Sequence, residues 1–425
     1  MNCLTMTVTP FMPNNIPLID VSILDANDQE NIWKVLQSVF PNWSKQYTKI
    51  RSLEEGLSNV VLRFDYNNKT NEPETILMRI RTKLSDFIVN RWDEIKHMHL
   101  LHELGGEQKL YAVFQNGLVY SFIKGSTISV DKFSVPKYSE LIIDQVARLH
   151  SLPARETMLR LFPNEYKDSS QLSTKPVLLS TIRNWIEKLP TSYNNDKQKF
   201  ERLKNEVPSK DALLNEVAYL EKLLENSISP VVLCHNDLLA GNIVVSPDEK
   251  SVHFIDFEYC GFNHAAFDIG NHFCEFAGIN TVNFDNYPTE EFQRLWISKY
   301  LKAKDYYEKL FNQQKEIDQH GYSITPIIVN VSSSDTNHID THCNSNGSST
   351  NKTDKNNCED ETLLEKWLIE VNRFALAAHL FWSVWAVILS VQEQKKFDYL
   401  SYGISRINQY YAMKNRLNTL HSSTK

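Results

Sequence analysis

The residues with the clearest chemical potential lie in one run, Val232-Leu233-Cys234-His235-Asn236-Asp237-Leu238-Leu239-Ala240-Gly241-Asn242, with Ile255-Asp256-Phe257-Glu258 a short way beyond it. Between them, Ile243 to Val245 and Val252 to Ile255 are apolar or β-branched and are separated by Ser246, Pro247, Asp248, Glu249 and Lys250. That pattern predicts a hairpin. Antiparallel pairing brings Asn242, just before the first strand, and Asp256, just after the second, to the same open end. Two oxygen ligands can therefore converge on a hard cation. Asp237 lies five residues before Asn242 on a tight loop. A His-x-Asp loop, an Asn five residues later and a second Asp beyond a hairpin are the parts that phosphoryl transfer from a nucleotide requires. In that chemistry Asp237 orients the acceptor hydroxyl and receives its proton, His235 braces the loop, and Asn242 and Asp256 hold Mg2+ on the phosphates. Any one of these residues alone reads as an ordinary turn or cap. Their spacing, with the hairpin between them, carries the reading.

The remaining elements must hold this set in place. Ile32, Val35, Leu36 and Val39 fall at helical spacing within Asn27 to Phe40, with Asp25 or Asn27 as the expected N-cap. Strands are expected at Val60 to Phe64 and Ile76 to Ile80, and a helix from about Asn90 that stops at Gly105 and Gly106. Two more strands follow at Leu110 to Phe114 and Leu118 to Phe122, turned at Asn116 and Gly117. Beyond Gly125 the periodicity is mostly helical, at Leu141 to Leu149, Val177 to Leu189 and Ala212 to Leu224, with the hairpin as the one clear strand pair. The class is α+β, a small antiparallel sheet with one helix followed by a larger helical body. Residues 1–26 form a tail, 27–124 the first lobe and 125–425 the second. The stretch from about 312 to 361, rich in Asn, Ser, Thr and Asp, reads as a mobile insertion between two helices.

The run His235 to Asn242, with Ile255-Asp256-Phe257-Glu258-Tyr259 and Phe267-Asp268-Ile269-Gly270-Asn271-His272-Phe273, resembles the choline/ethanolamine kinase family. Protein kinases carry Arg after the catalytic His and Gly after Asp-Phe, where this chain has Asn236 and Glu258. The resemblance implies the protein-kinase-like two-lobe fold, with ATP as phosphoryl donor. It also implies site residues. Gly56, Leu57, Ser58 and Asn59 resemble the nucleotide loop, although Glu55 departs from the second glycine usual in choline kinases. Arg79 aligns with the basic residue facing the phosphates and Glu94 with its ion-pair partner. Arg81 and Thr82 replace a Tyr-Gly pair common in relatives. Val119, Ser121 and Ile123 fall in the segment whose backbone would pair with adenine. Asp268 resembles a position that supports the catalytic loop. His97, His99 and His102, with no fourth ligand evident, read as solvated helix positions.

An aromatic helix stripe is normally core, but the resemblance implies that Trp382, Trp385 and Tyr402 line an ammonium site. There an aromatic face attracts a cation by ~0.5–2 kcal/mol. Glu258 offers a negative charge, and His264 stands where choline kinases commonly have Tyr, which reduces the aromatic enclosure a trimethylammonium group favours. Leu238-Leu239, Glu275-Phe276-Ala277-Gly278 and Asn408-Gln409-Tyr410-Tyr411 look more like ethanolamine kinases. Ethanolamine is the expected acceptor, for phosphatidylethanolamine synthesis. Choline or dual specificity, a silent kinase-like binding protein and, more remotely, an aminoglycoside kinase remain open. A net charge of -7 and scattered Lys and Arg argue against nucleic acid. Six Cys without a CxxC pair suggest reduced thiols in the cytoplasm. The apolar run Phe374 to Leu389 is too short for a membrane span and reads as a buried helix. A homodimer is expected only because dimerisation is common in choline kinases.

Overall fold

A computed structural model of the chain describes residues 13, 16–53, 59–69, 73–81, 88–166, 172, 175–193, 196–319, 350–391 and 397–423. Its elements begin with β1 (Leu18–Ile19), α1 (Gln29–Val39), β2 (Thr48–Leu53), β3 (Asn59–Tyr66), β4 (Glu74–Arg81), α2 (Arg91–Glu103), β5 (Leu110–Phe114) and β6 (Gly117–Ser121). They continue with β7 (Ser126–Thr127), α3 (Pro136–Ser151), α4 (Ala154–Leu161), α5 (Val177–Glu187), α6 (Lys197–Glu206), α7 (Lys210–Leu224), β8 (Val231–Cys234), β9 (Ile243–Val245), β10 (Val252–Phe254) and β11 (Gly261–His264). Last come α8 (Ala265–Cys274), α9 (Glu290–Gln319), α10 (Thr350–Leu389) and α11 (Tyr399–Ser423). They form two compact units. One holds residues 1–124, 153–173 and 255–259, the other residues 125–152, 174–254 and 260–425.

In the first unit a six-stranded sheet runs in the order β1-β5-β6-β4-β3-β2, antiparallel except for the β1·β5 pair. Side chains alternate across a strand, and β4 shows what that achieves. Ile76, Met78 and Ile80 join Leu62, Phe64 and Val119 in a core with Ile32, Val35 and Leu36 of α1. The intervening residues Leu77, Arg79 and Arg81 take the other face, where Ile95 and Met98 of α2 pack against Val113, Leu118 and Tyr120. Register in β4 therefore decides that two guanidinium groups face α2. Asp28, not Asp25 or Asn27, caps α1, accepting from the Asn31 N–H at 3.4 Å, while Asp25 Oδ1 accepts from the Asn27 N–H. Asn90 caps α2, and the chain leaves it through Gly105 at φ 84°. His97 is buried rather than solvated, and burial pushes its imidazole down to about 4.

The second unit is mainly helical. α10 packs on α8 and α11, and α3 on α9. The expected hairpin is β9·β10, in the register Phe254↔Ile243. Three further strands are present: β7 extends the hairpin sheet, and β8 pairs with β11. These are short, and Gly261-Phe262-Asn263-His264 has little β-propensity, so the pattern gave no signal. α9 and α10 also run further than expected, taking up 312–319 and 350–361, while 320–349 lies outside the described residues. Once an apolar helix is nucleated, each added residue gains one hydrogen bond, so polar flanks can continue it. The only described helix long and apolar enough to cross a membrane, within Glu361–Leu389, has 83% of its most apolar window buried.

Gly270 marks a tight helix crossing. A Cβ there would lie 2.5 Å from the Val371 carbonyl oxygen and 2.7 Å from the Ala375 nitrogen, and neither backbone atom can rotate away. Gly270→Ala is expected to destabilise the protein by about 1–3 kcal/mol. A lowered urea midpoint checks this, and an unchanged midpoint contradicts the crossing.

Candidate active site

The loop after β8 carries His235, Asn236 and Asp237 and is held from α8. The Asp268 carboxylate, fully buried in the first turn of that helix, accepts from the His235 N–H at 2.7 Å and the Asn236 N–H at 2.6 Å. The oxygen that accepts from the His235 N–H, Asp268 Oδ2, also meets His150 of α3. A carboxylate can only accept, so the 3.1 Å contact makes His150 Nε2 the donor, and His150 Nδ1 lies 2.9 Å from the Tyr300 hydroxyl. One turn on, His272 Nδ1 donates to the Leu238 carbonyl at 3.0 Å. Burial pushes this imidazole down to about 4, which keeps it neutral. Asp237 itself receives two bonds from Asn242 Nδ2, one to its carbonyl and one to Oδ2, each 2.9 Å. The Asp237 N–H donates to His235 Nδ1 at 3.3 Å.

In the sheet unit, Arg79 Nη2 lies 3.0 Å from Glu94 and its Nη1 2.9 Å from Asp256 and 3.5 Å from Glu258. Arg81 joins from two residues along β4, bonding Glu94 through Nη2. Burial alone would raise the Glu94 carboxyl, but the charges of Arg79 and Arg81 outweigh it and hold the group below its ordinary range. Asp256 sits at φ 63°, a left-handed conformation that Asx side chains tolerate better than most.

A third group of side chains lies on α10 and α11. Trp382 and Trp385 meet edge-on with ring centroids 5.4 Å apart, Trp385 meets Tyr399 at 5.7 Å, and Phe397 lies 5.5 Å from Tyr402. The Arg406 guanidinium lies 5.5 Å from the centre of the Tyr402 ring and is paired with Glu275 at 3.0 Å. Burial raises the Tyr402 hydroxyl above its ordinary range; Arg406 opposes the shift, and the carboxylates of Glu275 and Asp237 add to it.

A family model described as choline/ethanolamine kinase matches residues 50–411. The chain belongs to the choline/ethanolamine kinase family. It is 31% identical to ethanolamine kinase 1 of Homo sapiens over 97% of this chain and 78% of that protein. Against ethanolamine kinase 1 of Mus musculus it is also 31% identical, over 97% of each chain. Among solved structures, an ethanolamine kinase of Plasmodium vivax has the same fold. Its TM-score is 0.66 at 22% identity, covering 91% of this chain and 89% of that one.

The residues singled out from the family resemblance fall in several places. Asp237, His235 and Asn242 share one hydrogen-bonded loop, which Asp268 holds from α8. Arg79 and Glu94 form a pair, and Glu258 lies 3.5 Å from the same Arg79 guanidinium. His264 lies apart from Trp382. Its Nδ1 donates to the Ser229 carbonyl at 2.7 Å and its ring packs on Phe374, two helical turns before Trp382, or about 12 Å along α10. Val119 and Ser121 lie in β6 and Ile123 just beyond it; the Ser121 N–H is taken by the Lys109 carbonyl. Asn59 begins β3, whereas Glu55, Gly56, Leu57, Ser58 and Thr82 lie outside the described residues. Sequence reasoning missed Arg81, His150 and Tyr300. The only signal for Arg81 was its period-2 relation to Arg79.

Glu258 generates a pH dependence. Its carboxyl is pushed up to about 8, first by burial and then by Asp256, against the opposing pull of Arg79. The folded state therefore keeps a proton that the unfolded chain, with an ordinary value of 4.5, has lost. Stability from this group falls as pH rises across that window. Glu258→Gln should gain on the wild type in denaturation midpoint between about pH 4.5 and pH 8. A constant difference would contradict the assignment.

Proposed function

We propose that this protein is an ethanolamine kinase, transferring the γ-phosphoryl group of ATP to the ethanolamine hydroxyl with Mg2+ and acting in the cytoplasm in phosphatidylethanolamine synthesis. The observation that carries the reading is the Asn242 bond to Asp237. It occupies the amide nitrogen of Asn242 and leaves Oδ1 as the atom for a cation. Asp256 likewise uses Oδ1 on Arg79 and has Oδ2 to offer. Both are the hard oxygen donors that Mg2+ prefers. Asn242 and Asp256 would hold the ion, whose chemistry when bound is to neutralise charge on the nucleotide phosphates.

Asp237 aligns the acceptor hydroxyl and takes its proton. Its fixed position matters more than its basicity, because the transferring group carries little bonding to the incoming oxygen in a dissociative transition state. Arg79 fixes the phosphates, held in turn by Glu94. Gly56, Leu57, Ser58 and Asn59 cover the phosphates, and the backbone of Val119, Ser121 and Ile123 meets adenine. Residues 27–124 thus bind nucleotide, and 125–425 carry catalysis and the acceptor. Trp382, Trp385 and Tyr402 receive the ammonium group through their ring faces. The buried free thiols of Cys234, Cys260 and Cys274 suit a reducing compartment.

Purified protein given Mg-ATP and equimolar ethanolamine and choline should yield mainly phosphoethanolamine, identified by mass spectrometry. Mainly phosphocholine would transfer the reading to choline kinase, and neither product would contradict it. Asp237→Asn should lower turnover by about 10²–10⁴-fold. A folded variant with normal turnover would remove Asp237 from the mechanism.

A further inference from the structure

Between His272 and Asp268 on α8 lies Asn271, a fully buried side chain that none of the roles above uses. Its Oδ1 accepts from Trp382 Nε1 at 2.7 Å, and its Nδ2 donates to the Asn236 carbonyl at 3.3 Å. Chemistry fixes the amide orientation. An indole N–H can only donate and a carbonyl can only accept, so each end of the amide matches one partner and a flipped amide would match neither. Asn236 immediately precedes Asp237 and has left-handed backbone at φ 67°. The amide is therefore a single rigid link between the backbone that presents Asp237 and an indole of the aromatic group.

We infer that Asn271 is a positioning residue that couples acceptor binding to catalysis, by fixing the Trp382 ring relative to Asp237. This rests on the proposed ethanolamine kinase reading. A small amino alcohol has its ammonium and hydroxyl groups only a two-carbon chain apart. An error in the angle between the ring that receives one end and the carboxylate that receives the other cannot be absorbed by the substrate. Trp382 is free neither to rotate nor to slide, because its edge is pinned by Asn271 while its ring meets Phe381 at 5.0 Å and Trp385 at 5.4 Å.

The test is a double-mutant cycle on Trp382→Phe, which keeps an aromatic face but removes the donor, and Asn271→Ser, which removes the amide. The readouts are kcat and KM for ethanolamine, KM for ATP, and the melting temperature. Each single variant should lose about three- to tenfold in kcat/KM for ethanolamine with the KM for ATP unchanged, the size expected for one buried hydrogen bond. The double variant should be within about twofold of the weaker single, because both changes cut the same link. Losses that multiply would overturn the inference. So would a fall in melting temperature with ethanolamine kinetics unaltered, the mark of a bond that only stabilises. If Asn271→Ser does not fold, Asn271→Ala, which leaves the Trp382 ring face in place, decides instead. A raised ethanolamine KM with unchanged KM for ATP supports the link, and unchanged ethanolamine kinetics overturns it. A folded wild type that phosphorylates no ethanolamine would overturn the functional reading itself, and is distinguished from the other outcomes by that control.

Discussion

The carboxylate of Asp268 is removed from water entirely, and a buried charge persists only where hydrogen bonds replace its hydration. Here the replacements are the main-chain N–H groups of His235 and Asn236 and the ring of His150. Those two amides belong to the residues just before Asp237, so satisfying the buried charge also fixes the catalytic loop. The position of Asp268 in the first turn of α8 helps, since an acidic group there faces the positive end of the helix dipole. The helix axis is in turn held by the glycine crossing with α10. The loop is therefore positioned by the helical core rather than by its own sequence.

Backbone strain sits where this arrangement needs it. Asn236 and Asp256 both have left-handed backbone, at φ 67° and 63°. Such a residue costs roughly 1–3 kcal/mol and persists where its surroundings over-determine it. Asn236 is over-determined: its N–H goes to Asp268, its carbonyl to Asn271 and its Oδ1 accepts from Asn263. Asp256 is tied through Arg79 to Glu94, a pair whose geometry depends on β4 facing α2 with its odd-numbered residues. The two acidic positions on which the proposed chemistry depends are thus set by different devices, one a helix end and the other a strand register.

Much of this was legible in the sequence because it is local. The hairpin between Asn242 and Asp256 follows from β-branched runs around a polar turn, and the α1 and α2 faces follow from helical spacing. What escaped was non-local. His150 and Tyr300 lie 150 residues apart and meet only through the packing of α3 on α9. β11 has no strand-like composition and exists because β8 needs a partner. Glu258 and His264 were singled out by resemblance, and the partners they meet, Arg79 for one and Ser229 and Phe374 for the other, lie far along the chain from them. Period and spacing describe which face a residue takes, not which distant element covers that face.

The most direct test of this account is the turnover of Asp268→Asn, measured with the variant's melting temperature. An amide offers one acceptor where the carboxylate offers two, and its NH2 group would oppose one of the loop N–H groups. The account predicts a folded protein whose kcat falls by about 10²-fold or more, because Asp237 is no longer held in line. A folded Asp268→Asn protein with kcat within about twofold of wild type would contradict the claim that this carboxylate organises the catalytic loop.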